Sequence, residues 1–310
     1  MPEKLTQDAA REVLGKLDTA SRELLRTTRK NWDLETLLTH LDIYGTVGNM
    51  RLLVNDWTEL DRSKIARVVA EQFQWHQYKL DAQVWGSGSR GLRACASPQD
   101  VRRVADAWAT FIQEGDTIIS FNWDILHDAI LWRAGKWSYV DGYGFSVPHA
   151  ETVRSNTCIR IYKLHGSVNW VQEYENQDVA EIEFADVFFS GSHPAERAYP
   201  PKTTGWDSGR KLVLPTYLKD ISRNKALLQV WRQAQDAIRN ATEVLVIGYS
   251  LNPADHPARF LLATELGRNS EVREVRVVSP SVGGWRDLLD SLGKNLRWTE
   301  KRFEDWLLDS

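Results

Sequence analysis

The stretch TEVLVIGYS, residues 242–250, decides the fold class. Its centre is an unbroken apolar run, Val-Leu-Val-Ile, as a strand covered on both faces requires; a strand with one solvated face alternates apolar and polar residues instead. On either side, residues 225–241 and 255–267 carry apolar side chains at helical spacing. A buried strand between two helices is typical of a βαβ unit in a parallel sheet.

The alternation of strands and helices extends in both directions along the chain. Further helices are predicted at 124–135 and 283–293, and the N-terminal third reads as mostly helical. We therefore expect an α/β protein with a Rossmann-like, doubly wound, mostly parallel sheet and a helical N-terminal region. The remaining predicted strands are 116–124, 158–166, 211–216 and 272–280, and the N-terminal helices are 5–28, 33–44, 59–80 and 98–114.

The length of 310 residues fits a single large domain, 1–310. Residues 1–115 form its mainly helical part, and residues 116–295 form its Rossmann-like core. Two segments rich in glycine, aromatic and polar residues, 136–157 and 172–210, are predicted to be insertions outside the sheet.

Composition excludes several classes of protein. The net charge is −3, without a long basic run, which argues against a nucleic-acid partner. No apolar run approaches the roughly 20 residues that cross a bilayer, and the polar first thirty residues lack a secretory signal. The two cysteines, Cys95 and Cys158, cannot build a four-cysteine zinc site. We expect a cytoplasmic protein without a metal or a membrane anchor.

Small and polar residues follow four predicted strands, where ligands bind in open α/β sheets. His165, at the end of one strand, offers an imidazole that accepts a proton near neutral pH. Gly166 permits close approach to the backbone, and the Ser167 hydroxyl can cap the next segment or bind a ligand. The candidate site residues are Asn122, Asp124, His165, Gly166, Ser167, Gly248, Tyr249, Ser250 and Ser279.

Other residues have simpler interpretations. Residues 86–91, GSGSRG, match G-x-G-x-x-G, but they do not follow a strand and open a helix, so a mobile loop is expected. His127 and Asp128 share a helix face that a metal could use, although a solvated face is the commoner outcome. Asp255 is expected to cap its helix. We expect Trp123 and Trp170 to pack in the core, with ring stacking on nicotinamide as the alternative. Lys219 and Arg223 are expected to be surface charges, and Cys158 an inert core residue.

Taken in order, four segments resemble the sirtuin-like NAD-binding domains of bacterial antiphage defence proteins. The segments are FNWD, KLHGSVNW, VIGYSLNPAD and VVSP, and they span roughly residues 116–280. Residues 31–42, NWDLETLLTHLD, are similar to the helix that precedes them in that family. The resemblance implies a Rossmann-like fold that binds NAD.

The resemblance also implies roles for individual residues. Asn122 and Asp124 match the Asn-x-Asp that contacts the nicotinamide end of NAD, and His165 with Gly166 matches the catalytic His-Gly. Gly248 and Ser250 match the Gly-x-Ser that lines the ribose-phosphate path of NAD, and Ser167 and Tyr249 lie beside matched residues on that path. Ser279 matches the position that holds the adenosine half.

The implied activity is that of an NAD+ glycohydrolase, which releases nicotinamide and ADP-ribose. NAD is then a substrate, and a regulatory protein or a second copy of the chain is a possible partner. Because this chain lacks the four-cysteine zinc ribbon of sirtuin deacetylases, hydrolysis of NAD is favoured over peptide deacylation.

One family feature is missing before Asp33: the central strand that leads into a Gly-Ala-Gly-x-Ser loop. Its loss would leave two neighbouring strands with unpaired backbone groups. Either Met1 lies downstream of the true start, or the chain is a shortened relative with altered or absent NAD binding. The alternative function is a non-catalytic sensor of NAD or ADP-ribose, or a scaffold subunit. A hydrolase that uses Ser167 or Ser250 is least favoured, since neither lies in a G-x-S-x-G elbow.

Overall fold

A computed structural model describes Arg11, Leu37 and residues 98–138, 141–145, 159–172, 209–212, 225–251 and 255–309. The N-terminal predictions before residue 98, including the GSGSRG stretch and the 31–42 resemblance, lie outside these residues, except that Arg11 and Leu37 are helical.

Helices and strands alternate through most of the described chain. The helices are α1 (Pro98–Phe111), α2 (Leu126–Arg133), α3 (Lys225–Arg239), α4 (His256–Arg268), α5 (Trp285–Ser291) and α6 (Phe303–Asp309). The strands are β1 (Thr117–Ser120), β2 (Arg160–Lys163), β3 (Gly166–Gln172), β4 (Gly209–Leu212), β5 (Val244–Ile247), β6 (Glu274–Val278) and β7 (Asn295–Thr299).

The described strands form three small sheets, two of which are parallel. β1 pairs with β2, and β5, β6 and β7 pair in that order. β3 and β4 form a separate antiparallel pair. The prediction of an α/β chain with parallel strands is therefore confirmed at the level of mixed helices and strands with small parallel sheets.

β1 and β5 are edge strands within the described part of the chain, because each has a hydrogen-bonded neighbour on one side. All four residues of β5 are only half-buried, whereas its apolar run predicted full cover on both faces.

β4 overlaps the predicted strand 211–216 but begins inside the predicted insertion 172–210. Other elements were not expected from the sequence. β3 continues directly from the His-Gly turn. β7 and α6 lie beyond the last predicted elements. α6 packs on α1 through aromatic rings, with centroid separations of 5.2 Å for Trp108 and Phe303 and 5.3 Å for Phe111 and Trp306.

Asn269 joins the end of α3 to the segment between α4 and β6. Its Nδ2 donates to the carbonyls of Ile238 (2.7 Å) and Ala241 (2.9 Å). Its Oδ1 accepts from the backbone N–H groups of Glu271 (2.9 Å) and Val272 (2.8 Å). The side chain is buried, with 2% of its surface exposed, so these four bonds replace water that cannot reach it.

We predict that Asn269→Ala lowers the free energy of unfolding by about 2–4 kcal/mol, because it leaves buried backbone groups without partners. Asn240→Ala is the matched control, since the side chain of exposed Asn240, directly after α3, donates to the Asp236 carbonyl of that helix; a change within about 0.5 kcal/mol is expected there. Urea unfolding of the purified chains measures both. Equal losses in the two variants would contradict the role given to Asn269.

Candidate functional site

The ends of β1 and β2 lie side by side. Ser120 is the register partner of Lys163, so the segments that follow leave the sheet together. The N–H of Leu164 donates to the Ser120 carbonyl at 3.0 Å, which extends the ladder by one residue. Trp231 of α3 donates its Nε1–H to the Leu164 carbonyl at 2.9 Å. The residue before His165 is thus fixed on two sides.

The ends of β5 and β6 are paired in the same way. Ile247 is the register partner of Val278, and the N–H of Gly248 donates to the Val278 carbonyl at 2.9 Å. Ser279, which follows β6, is buried and donates its N–H to the Thr299 carbonyl at 3.2 Å. The small residues after β5 and β6 therefore occupy neighbouring positions.

His165 connects these two pairs of strand ends. Its Nδ1 lies 3.1 Å from the carbonyl oxygen of Phe121, which follows β1. Its Nε2 lies 3.2 Å from Oδ2 of Asp255, which follows β5 in the chain and precedes α4. His165 and Asp255 are 9% and 4% exposed, so this contact is shielded from bulk water.

Two aromatic rings reinforce the connection. Phe121 and Tyr249 stack with a centroid separation of 4.3 Å and an interplanar angle of 15°. The Tyr249 hydroxyl also donates to Oδ2 of Asp255, at 3.4 Å. Trp285 fixes Tyr249 from the other side by donating its Nε1–H to the Tyr249 carbonyl at 2.7 Å. We refer to Phe121, His165, Tyr249 and Asp255 as the strand-end cluster.

Hydrogen-bond geometry defines how protons are placed on His165. A backbone carbonyl only accepts, so Nδ1 carries a hydrogen that it donates to Phe121. Nε2 faces a carboxylate oxygen, and a close contact there also needs a hydrogen between the two atoms. In this contact the ring N–H donates and the carboxylate oxygen accepts.

Asp255 is the functional candidate that sequence reasoning assigned to a different role. It occupies the residue before α4, but its side chain makes no capping hydrogen bond to that helix. The carboxylate points to His165 and Tyr249 instead. A signal was present in the sequence, since Asp255 lies five residues after Ser250, but capping is a local rule and cannot detect a partner ninety residues away.

Asn122 and Asp124 follow β1 but are not part of the strand-end cluster. Asn122 is exposed, and its backbone N–H donates to Ser120 Oγ at 3.2 Å. Asp124 uses Oδ1 to accept the N–H of Leu126 at 3.0 Å, at the start of α2. Within the described residues, neither side chain bonds to His165. Asn122 remains accessible at the rim, whereas the Asp124 carboxylate is half-buried and used locally.

The two residues after His165 form the turn into β3. Gly166 has a φ of +76°, a conformation that favours glycine. Ser167 is fully buried and its Oγ donates to the Trp123 carbonyl at 3.4 Å. This hydroxyl stabilises the turn from inside the protein. Trp123 and Trp170 are buried too, which agrees with the core-packing interpretation.

The residues after β5 form an exposed rim beside the cluster. Gly248 has a φ of +65° and open space where a side chain would point. Ser250 is exposed, while its carbonyl accepts the N–H of Gly284 at 3.1 Å. Gly248, Ser250 and Asn122 are thus the predicted site residues that solvent or a ligand reaches directly.

A buried charge network lies behind the site. Lys163 is almost fully buried; its Nζ donates to the Asp124 carbonyl and lies 3.1 Å from Oδ2 of Asp128. Burial raises the pKa of the Asp128 carboxyl, and Lys163 opposes this rise. The expected solvated helix face is therefore wrong for Asp128.

Tyr143 and Asn169 lie in the same buried region. Asn169 donates its Nδ2–H to the Tyr143 hydroxyl at 2.9 Å. Burial, with a contribution from the Asp128 carboxylate, raises the pKa of Tyr143 well above its usual value. Tyr143 therefore stays neutral and acts as a hydrogen-bonding core residue.

The remaining candidates give no site in the described part of the chain. Among the described residues, no group of three or more His, Cys, Asp or Glu side chains could hold a metal ion. Cys158, Lys219 and Arg223 lie outside the described residues. None of the helices within the described ranges has the length and apolar character needed to span a membrane.

Comparisons with known proteins do not identify a family. No protein-family model matches the sequence, and no curated protein matches it.

The Lys163–Asp128 pair supports the loop that carries Asp124, and its energetics can be tested. We predict that Lys163→Met lowers the free energy of unfolding by about 3–5 kcal/mol, because Asp128 is left buried without a cation. The double variant Lys163→Met/Asp128→Leu should lose less than Lys163→Met alone. As a control, Arg276→Met, which breaks an exposed pair with Glu243, should cost about 0–1 kcal/mol. A double variant that loses the sum of both single losses would contradict this account.

His127 predicts a pH dependence of stability. Its Nδ1 is buried without a hydrogen-bond partner among the described residues, and burial lowers its pKa below the ordinary 6.5. The unfolded chain therefore binds this proton more readily than the folded chain, so the contribution of His127 is complete above pH 6.5 and is lost as pH falls towards the folded pKa.

We expect wild type to lose up to about 1.4 kcal/mol per pH unit more than His127→Gln as pH falls below this value. Urea unfolding at several pH values between about 5 and 8 measures the difference. His256→Gln, at an exposed histidine, should follow wild type. Parallel curves for wild type and His127→Gln would show that the prediction is wrong.

Proposed function

We propose that the chain is a sirtuin-like, NAD-consuming enzyme of the antiphage kind, an NAD+ glycohydrolase that works in the cytoplasm. We further propose that β1–β2 and β5–β7 are the two halves of one Rossmann-like, doubly wound sheet. The single observation that carries the proposal is the His165–Asp255 contact, which joins the ends of the two halves.

The order of the strands supports a crevice at this position. The chain passes from β1 to its neighbour β2, and later from β5 to β6 and β7, so each half is built outward from its first strand. If β1 and β5 face each other, the winding changes direction between them. Ligands of doubly wound sheets bind at such a switch point, beyond the carboxyl ends of the strands. Phe121, His165 and Tyr249 all follow these ends.

The chemistry of the residues suits cleavage of a glycosidic bond. In hydrolysis of NAD, the bond between ribose C1′ and the nicotinamide nitrogen breaks, and nicotinamide leaves with the electron pair. Water supplies the new C1′–O bond and releases a proton. The sugar is cationic in the transition state, so a nearby carboxylate stabilises it and positioning contributes much of the rate.

We assign these roles to the residues at the site as follows. The exposed amide of Asn122 contacts nicotinamide, and the open backbone at Gly248 and Ser250 accommodates ribose and phosphate. The base is His165: once a ligand separates the His165–Asp255 pair, the hydrogen between them leaves with Oδ2 of Asp255, and Nε2 takes the proton that water releases. Ser279 is buried behind the rim and shapes the adenosine half through its backbone.

A second function is favoured by a specific observation. Both ring nitrogens of His165 already face oxygen atoms, so neither is ready to accept a proton before the pair separates. A non-catalytic sensor of NAD or ADP-ribose, or a scaffold that binds a regulatory protein or a second copy, is consistent with a His165 that stays engaged. The proposal includes no nucleic acid, metal or membrane.

Incubation of the purified chain with NAD distinguishes the functions. We expect release of nicotinamide and ADP-ribose, measured by chromatography, and a loss of about 10²–10⁴-fold in His165→Ala. His256→Ala, which removes an exposed imidazole, should retain activity. Turnover that survives His165→Ala, or no turnover in wild type, defeats the catalytic proposal. A thermal shift with NAD that persists for hours without product supports the sensor.

A further inference from the structure

We infer that Asp255 is the positioning residue of His165: it fixes the orientation of the imidazole and keeps a hydrogen on Nε2. This inference deepens the proposed function, on which its catalytic consequence rests, but its structural part can be tested without activity.

The Asp255 side chain bonds to His165 and not to the helix that its place in the chain suggests. It immediately precedes α4, a position where a carboxylate commonly accepts a backbone N–H of the helix. No such bond is made, and Oδ2 accepts from His165 Nε2 and from the Tyr249 hydroxyl instead. A 4% exposed carboxylate is costly to bury unless it is paired, so these contacts account for its position.

The two hydrogen bonds together define the plane of the His165 ring. An imidazole attached at one carbon rotates about two bonds, so one hydrogen bond leaves its plane poorly defined. His165 has an anchor at each nitrogen, the Phe121 carbonyl at 3.1 Å and Asp255 at 3.2 Å. The edge of the Phe121 ring, at a centroid separation of 5.5 Å, limits the remaining freedom. Of these two anchors, the Phe121 carbonyl belongs to the backbone and the Asp255 carboxylate to a side chain. A substitution can therefore remove the Asp255 anchor but not the Phe121 anchor.

The two anchors of His165 come from different parallel sheets. Phe121 follows β1 in one parallel sheet, and Asp255 follows β5 in the other. The orientation of His165 therefore depends on how the two sheets meet. Asp255 makes the imidazole responsive to the segment after β5, where the exposed Gly248 and Ser250 lie.

The direct test is nitrogen NMR of the full chain labelled with ¹⁵N-histidine, with the His165 signals assigned from their loss in His165→Gln. We expect wild type at neutral pH to show hydrogens on both Nδ1 and Nε2 of His165. In Asp255→Asn the Nε2 signals should shift or disappear, while Nδ1 keeps its hydrogen on Phe121. Glu274→Gln, at an exposed carboxylate, should leave the spectrum of His165 unchanged.

Kinetics of the same variants test the catalytic consequence. We expect Asp255→Asn to lower kcat by about 10²–10⁴-fold with little change in KM, because asparagine cannot take the Nε2 hydrogen when the pair separates and so leaves His165 unable to accept a proton. Tyr249→Phe, which removes only the second contact to Oδ2, should lower kcat much less. Equal losses in kcat for the two variants would overturn the inference.

The failures of the two proposals can be told apart. If wild type does not cleave NAD, the proposed function fails, and the NMR experiment still decides the role of Asp255. An unprotonated Nε2 in wild type, or His165 signals unaffected by Asp255→Asn, overturns the inference whatever the activity. If Asp255→Asn does not fold, the protonation of Nε2 in the wild-type spectrum is sufficient to support or overturn it.

Discussion

The hydrogen-bonded contact between His165 and Asp255 is the interaction on which the arrangement of the site depends. Among the described residues the two parallel sheets are separate ladders, so no described backbone hydrogen bond fixes their strand ends relative to each other. Side chains do so: an imidazole held between a carbonyl and a carboxylate, with Phe121 and Tyr249 stacked beside it. Charge and direction make such a bond stronger than a neutral one and more specific than ring packing alone.

Local patterns in the sequence were sufficient to predict most helices and strands of the described chain, but they did not predict the side-chain contacts of the site. Apolar runs followed by small polar residues placed β1, β2, β5 and β6 and their ends to within a few residues. They predicted that His165 and Tyr249 lie at strand ends, but not that one carboxylate would bind both. β7 was missed because its composition, Asn-Leu-Arg-Trp-Thr, lacks an apolar run, and its pairing with β6 supplies what propensity does not.

The site combines a shielded hydrogen-bonded pair with an open rim. His165 and Asp255 are buried, where a carboxylate without a partner would be costly, and the imidazole of His165 is the partner of this carboxylate. Asn122, Gly248 and Ser250 lie outside this pair and are exposed. The proposed function requires this pattern, since a polar ligand bound at the rim would place one reactive bond next to the pair.

Gly283 constrains the position of Ser250, although the two residues lie more than thirty positions apart in the chain. Its φ of +55° suits glycine, and a methyl group there would collide with the backbone of Ser250. Since the atoms in the way belong to the Ser250 backbone, even alanine would force that residue to move. A substitution at Gly283, more than thirty residues after the rim, would thus displace the exposed rim residue Ser250.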